Sequence, residues 1–347
     1  MERLVSGSLQ PLWAFFRNLI SHLGISSNAA GLVYLAILHT VPLRSALTGT
    51  SSLLDALIIC PGAYREHDAP SLNRGEYPAC AAMTTGFVFR VENEATVLQL
   101  QRFGKPGHLT TLTVQSGSKG PSAGTWHACF FEAMRDTATL CYAATLAMTV
   151  CATLMLVHLE ELQALLWLAV TILTRLVSVV IFRRRAQPGW KGIVEPGAKG
   201  DLLVLLSQDR WIRLRGLVDD IKAVTSGQWL RDMTPLESSA VSATTLVVWL
   251  SAGFSTTAGK DGQVVLLALL FCSAGMLGLA NLSTRVSCMY GRQLQSKDSP
   301  ERFERRLDLA EQLIQETGRQ DWALRLGMIQ PKTADDNHEH ELGPKIM

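Results

Sequence analysis

Charge is what the middle of this chain lacks. Thr137 to Val157 carries no formal charge, Leu162 to Phe182 carries only Arg175, and Ser238 to Ala258 and Gln263 to Thr284 carry none. At 1.5 Å per residue each run can cross a hydrocarbon core of roughly 30 Å. The whole chain is 48% hydrophobic and 18% charged, an apolar bias for a soluble protein that these four runs account for. None of them holds an Asp or Glu, which argues against a proton relay or an ion-coupled transporter. Soluble-enzyme signatures are missing too: there is no GxGxxG, Walker loop, HExxH, GxSxG or kinase motif. The seven cysteines form no CxxC or Cys/His metal spacing, so no metal and no cofactor is expected and the thiols read as reduced and structural. The net charge of +2 is uninformative about partners, but nucleic acid is not an expected one, because membrane topology accounts for the basic cluster at Arg183.

What is present is a membrane topology. The four runs form two hairpins, 137–182 and 238–284, whose turns hold Glu160 and Glu161 in one case and Lys260 and Asp261 in the other. Arg183, Arg184 and Arg185 close the second run, and Arg285, Arg292 and Lys297 follow the fourth. By the positive-inside rule the 183–237 connection and the C-terminus are cytosolic and both turns lie on the far side. Ala29 to Leu43 is apolar but short, contains His39 and Pro42, and stops at Arg44; it reads as a fifth span or as a buried or interfacial helix. Residues 1–28 fit an amphipathic segment at the membrane surface, or a helix packed on the protein, because Arg17 interrupts "PLWAFFRNLISHLG" before a signal-like apolar region develops.

Residues 44–136 change character. A turn-rich stretch, "CPGAYREHDAPSLNRGEYPAC", precedes Phe87–Val91, Thr96–Phe103 and Leu109–Val114, which alternate in the strand period and predict an antiparallel meander in a small β-rich cytosolic module. "SGSKGPSAG" has the composition of a flexible linker. In the 183–237 loop domain, "AQPGWKGIVEPGAKG" reads as turns and Leu202–Leu206 as a buried strand or helix start. Ser207 is placed to cap a helix striped by Trp211, Leu214, Val218 and Ile221, with Asp209/Arg213 and Arg215/Asp219 pairing four residues apart. Trp190, Trp211 and Trp229 suit a membrane interface. In the 285–330 region, "SPERFERRLDLAEQLIQETG" predicts a soluble helix capped by Ser299, ended by Gly318 and burying Phe303, Leu307, Ala310 and Ile314. Residues 331–347 read as a polar, disordered tail, whose His338 and His340 are more simply solvated than metal-binding.

The expected fold is therefore an α-helical integral membrane protein with four or five spans in hairpins, a small β-rich cytosolic module and cytosolic amphipathic helices. Candidate chemistry is thin. Arg175, alone in a span, is close enough to the Arg183 cluster to snorkel to the interface. The carboxylates Glu132, Asp136, Glu160, Glu161, Glu237 and Asp261 all sit at span ends, where an acid could protonate an alkene or epoxide held in an apolar pocket. Asp219 and Asp220, with Arg213 or Arg215, read either as solvated ion pairs or as the wall of a cytosolic pocket.

Gly189–Trp190, "EPGAKGDLLVLLSQDRW" from Glu195 and "GLVDDIKAVTSGQWL" from Gly216 resemble a group of multi-pass membrane proteins of filamentous fungi, some of them encoded in secondary-metabolite gene clusters, including terpenoid clusters. The resemblance covers about forty residues and transfers no catalytic residue. It implies a membrane protein of such a pathway, touching lipid and a cytosolic protein or pathway-enzyme partner. The expected function is accessory or scaffolding; the alternative is an intramembrane cyclase or isomerase acting on an apolar prenylated intermediate.

Overall fold

The computed structural model describes residues 29–116, 136–188, 192–284, 286–296 and 299–330. The expectations for 1–28, the 117–124 linker, Cys129, Glu132, Trp190 and the 331–347 tail with His338 and His340 fall outside those residues. In chain order the elements are α1 (Ala30–Leu35), α2 (Thr40–Thr48), β1 (Ala79–Ala82), β2 (Val88–Arg90), α3 (Glu94–Phe103), β3 (His108–Ser116), α4 (Thr137–His158) and α5 (Leu162–Arg185). They continue with β4 (Lys199–Leu206), β5 (Arg210–Leu217), α6 (Val218–Thr225), α7 (Pro235–Phe254), α8 (Lys260–Ser283), β6 (Ser287–Met289), β7 (Arg292–Ser296), β8 (Glu301–Arg302), α9 (Arg306–Thr317) and α10 (Asp321–Arg325). Two 3₁₀ segments, Leu53–Leu57 and Ala63–Asn73, lie between α2 and β1.

Among the described residues four helices are long and apolar enough to cross a membrane: Thr137–His158, Leu162–Arg185, Pro235–Thr257 and Lys260–Ser283. Their outer faces keep large side chains exposed, such as Leu154, Leu166, Trp249 and Leu282, as lipid-facing helices do. α8 packs on α4 and α7 on α5, and α1 lies against both α7 and α8. That last contact needs a glycine: a Cβ on Gly31 would come within 2.3 Å of the Ala252 carbonyl oxygen.

The fifth span proposed for 29–43 is not one helix. α1 has six residues, about 9 Å of rise, and Ala36–His39 is non-helical before α2 begins. Pro42 explains the restart, since it is tolerated in the first turn of α2 but removes a donor that a continuous helix would need. The broken helix still runs the length of the bundle. Gly31 sits beside Ser255 at the end of α7, while Asn281 donates to the Thr40 carbonyl at 2.8 Å and Arg44 to Thr284 at 3.1 Å, at the end of α8. The Gly62 amide, with φ +76°, donates to the freed Tyr34 carbonyl at 3.1 Å, which meets the demand that broken backbone in an apolar setting be paired internally. The first 3₁₀ segment returns into the bundle, where Thr149 donates to the Leu57 carbonyl at 2.7 Å.

The β-structure corrects four expectations. First, the three modules at 44–136, 183–237 and 285–330 are one eight-stranded sheet in the order β2-β1-β4-β5-β3-β7-β6, with β8 pairing β3. Second, Thr96–Phe103 is not a strand of a meander: it belongs to α3, because Asn93 accepts from the Thr96 amide at 2.9 Å as an N-cap and Glu94 opens the first turn. β3 pairs in parallel with β5 and antiparallel with β7. Third, the striped helix expected from Ser207 is a hairpin. Leu206 pairs with Arg210 and Lys199 with Leu217, and Gln208 and Asp209 turn the chain with φ of 61° and 51°, the left-handed geometry tight hairpins favour. Only Val218–Thr225 is helical. Fourth, the helix expected from Ser299 starts at Arg306; it does end at Gly318, φ 68°. Its buried face is Leu309, Ala310 and Leu313, with Leu307 exposed.

Both faces of this sheet are covered at β4, whose Leu202–Leu206 reads as an unbroken apolar run. Leu202, Val204, Leu206, Ile212 and Leu214 join a core with Ala46 and Phe182 on the bundle side. Leu203, Trp211, Leu309, Leu313 and Trp322 form the opposite core under α9 and α10. Trp211 and Trp229 are thus buried rather than interfacial, and the Trp229 indole donates to the Gly49 carbonyl at 2.9 Å.

Candidate functional site

Two places concentrate polar chemistry. The first is a groove of about 520 Å³ where the parallel strands β3 and β5 end side by side and α6 begins. Lys199, Asp201, Arg215, Leu217 and Asp220 line it. Strand alternation sets the charges: Arg213 and Arg215 follow Trp211 at two-residue steps and so share its face. Arg213 forks onto Asp201, at 2.7 and 2.9 Å, and reaches Glu316 of α9 at 2.6 Å. The hydrogen bond from Arg213 holds the Glu316 carboxyl below the usual carboxylate range. Arg215 joins the same pair of acids at 3.3 and 3.6 Å. The pairs expected along a helix, Asp209/Arg213 and Arg215/Asp219, do not form, since Asp209 lies in the turn before β5 and Asp219 in α6 after it. Asp209 binds Arg306 at 2.7 Å instead.

The carboxylates singled out from sequence separate by role. Asp220 is buried, accepts from Arg292 at 2.8 Å and borders the groove with Arg215. Asp219 accepts from the Glu195 amide at 2.9 Å. Glu237 closes a capping box with Thr234 at the start of α7 and binds Arg231 at 2.5 and 2.8 Å. Glu161 accepts from the Gly259 amide at 3.0 Å and so ties the two hairpin turns together. Glu160 is exposed in its turn with φ 56°. Glu160 and Glu161 lie at the opposite end of the bundle from Glu237, so these acids do not share one pocket. Among the described residues no cluster of His, Cys, Asp and Glu has the arrangement of a metal site, and the described cysteines are free thiols.

The second place is the interior of the bundle, and there Arg175 overturns expectation. It does not snorkel. It is 1% exposed, donating from Nη1 to Glu66 at 3.0 Å and to the Ala63 carbonyl at 2.7 Å. Glu66, fully buried in the second 3₁₀ segment, accepts in turn from Ser45 at 2.6 Å and from Ser51. Next to this pair Tyr142 of α4 donates to Asp55 at 2.5 Å, and Arg44 stands over the Tyr142 ring. An unpaired charge here would be prohibitive; paired and hydrogen-bonded, it locks the broken segment to α4 and α5. His67 follows Glu66, both ring nitrogens buried without a partner among the described residues, its ring 6.3 Å from Phe182. Burial pushes its pKa down to about 4. Sequence reasoning passed over Glu66 and His67 because "YREHDAP" reads as turn; the available signal was that Arg175 required a buried acid somewhere, and no span supplied one.

Comparison with family models, with curated proteins and with solved structures finds no match.

Proposed function

We propose that this is a non-catalytic, membrane-anchored accessory protein whose β-domain faces the cytosol and holds a segment of a partner protein in the groove at the ends of β3 and β5. The observation that carries the reading is the fusion of all three inter-helix segments into one sheet with a groove of about 520 Å³, within the volume range of ligand and peptide sites. Arg183 to Arg185 at the sheet-proximal end of α5 support the cytosolic placement. The span-end acids favour this reading over the cyclase or isomerase alternative. Glu161 and Glu237 are occupied with backbone amides and an arginine, and a general acid needs a free proton aimed at substrate. On the resemblance of residues 189–230, the partner is an enzyme of a fungal terpenoid-type metabolite pathway.

The test places a photocrosslinking amino acid at Gln115 or Lys199, beside the groove, and as control at Asp308 on the solvent side of α9. A discrete adduct from the groove positions, identified as one pathway enzyme and lost with Arg215→Glu, is expected. Turnover of an apolar prenylated intermediate by the purified protein alone in nanodiscs would overturn the proposal.

A further inference from the structure

The bundle contains buried donors that no described residue satisfies. The Arg175 Nε, the Tyr34 hydroxyl and the Trp167 indole N–H have no acceptor, though Arg175, Tyr34 and Trp167 are 1%, 0% and 3% exposed. Tyr34 stands edge-on to Trp167 at 5.4 Å and 6.3 Å from Tyr64. An orphaned donor is costly, most of all in a setting without water. Of the three, Arg175 also lines a crevice.

The packing shows where a ligand would enter. Tyr64, Thr174, Arg175, Ser178, Thr244 and Thr245 line a crevice between α5 and α7. On the α5 side Thr171, Thr174, Arg175 and Ser178 are buried, but from 238 to 247 α7 has no buried residue. This half of α7 is therefore the weakly packed wall. Arg175 is ten residues from the end of α5 at Arg185, about 15 Å inside.

The hydrogen bonds of the crevice select the ligand's chemistry. Thr174, Ser178, Thr244 and Thr245 each donate to a carbonyl of their own helix at 2.8–3.1 Å, so the walls offer lone pairs. The Arg175 Nε–H at the floor offers a proton. A group that both accepts and donates matches this arrangement. A carboxylate does not, because Glu66 already neutralises Arg175 at 3.0 Å and a second anion would face it in a low dielectric.

We propose that the α5–α7 crevice is a binding site for the hydroxyl end of a neutral, membrane-partitioning alcohol, with Arg175 donating to its oxygen, the threonines accepting its proton, and the apolar body lying along the outer face of α7. In the present conformation the crevice has no room for a water molecule, so binding parts α7 from α5 over 238–247. The inference stands independently of the groove: it concerns binding within the membrane and assigns no turnover.

The test reconstitutes the full chain in nanodiscs with a prenyl alcohol carrying a diazirine and an alkyne, alongside the matched carboxylic acid and the matched hydrocarbon. Labelling by the alcohol should fall on α5 and α7 peptides, exceed that by both analogues and be displaced by unlabelled alcohol. Thr245→Leu, which fills the crevice, should reduce it roughly five- to tenfold, as expected for a lost hydrogen bond and lost space. Thr244→Val and Thr245→Val, which exchange hydroxyl for methyl at constant volume, serve where the leucine variant fails to fold. Equal labelling of wild type and variants, or labelling by the hydrocarbon as strong as by the alcohol, would show generic lipid contact and overturn the proposal; a preference for the acid would overturn the chemistry assigned to it.

Discussion

His67 should make the protein acid-sensitive by an amount that can be worked out in advance. Its ring nitrogens are buried beside Phe182 with no hydrogen-bond partner among the described residues, and burial is the main cause of a pKa of about 4, with Glu66 and Asp68 opposing that shift and Arg185 and Arg175 reinforcing it. In the unfolded chain the ring titrates near 6.5, so unfolding takes up a proton at any pH between the two values. The folded state therefore loses stability as pH falls through 6.5 toward 4, at a limiting slope of about 1.4 kcal/mol per pH unit. Between pH 7 and pH 5 the loss from this residue comes to about 2 kcal/mol. Other carboxylates titrate in the same range, so the measurement is a difference: denaturant titrations in detergent micelles, followed by tryptophan fluorescence, for wild type and His67→Leu at pH 7, 6 and 5. The variant's stability should fall by about 2 kcal/mol less than that of wild type over this interval. Parallel curves for the two proteins would refute the reasoning, whatever the absolute effect of the substitution.

Two further outcomes follow from the same architecture. Arg175→Met or Glu66→Gln alone should destabilise the protein by about 3–5 kcal/mol in the same titrations, while Arg175→Met combined with Glu66→Leu should recover most of that loss, since removing both charges leaves no unpaired charge; a double variant as damaged as the singles would show that the pair is not closed on itself. For topology, single cysteines replacing exposed Lys105 in the β-domain and exposed Lys260 in the distal turn should be labelled by an impermeant maleimide from opposite faces of sealed membranes, Lys105→Cys from the cytosolic face; labelling of Lys105→Cys from the other face would reverse the orientation.

The four long helices were legible from sequence because a bilayer-length uncharged run has few alternative meanings. Their irregular companion was not. Ala29–Leu43 has the composition of a span, but Pro42 and the return of residues 53–63 into the bundle split it, and that return depends on the Arg175–Glu66 pair, whose partners are 109 residues apart. The β-domain was obscured by a coincidence of spacing. Trp211, Leu214, Val218 and Ile221 recur at helical intervals, yet Trp211 and Leu214 lie in β5 and only Val218 and Ile221 in the helix that follows it. The turn at Gln208–Asp209 lacks the glycine that announces a hairpin. Of the candidate acids, Asp220 is the one the fold brings to the groove with Arg215; Glu160, Glu161 and Glu237 were selected for being at helix ends, and holding helix ends is what Glu161 and Glu237 do.

The order of strands also governs how the protein is made. β3 emerges from the ribosome with β1 and β2, but its partners are β5, roughly a hundred residues later, and β7 and β8, later still. At about 5–20 residues per second the nascent β3 waits some seconds with both edges unsatisfied while the first hairpin inserts, and longer until the second is in place. A chain halted after α5 would expose a strand with no legitimate neighbour, an aggregation-prone edge of the kind chaperones and proteases act upon. Completion of the sheet thus requires that all four long apolar helices have been synthesised first.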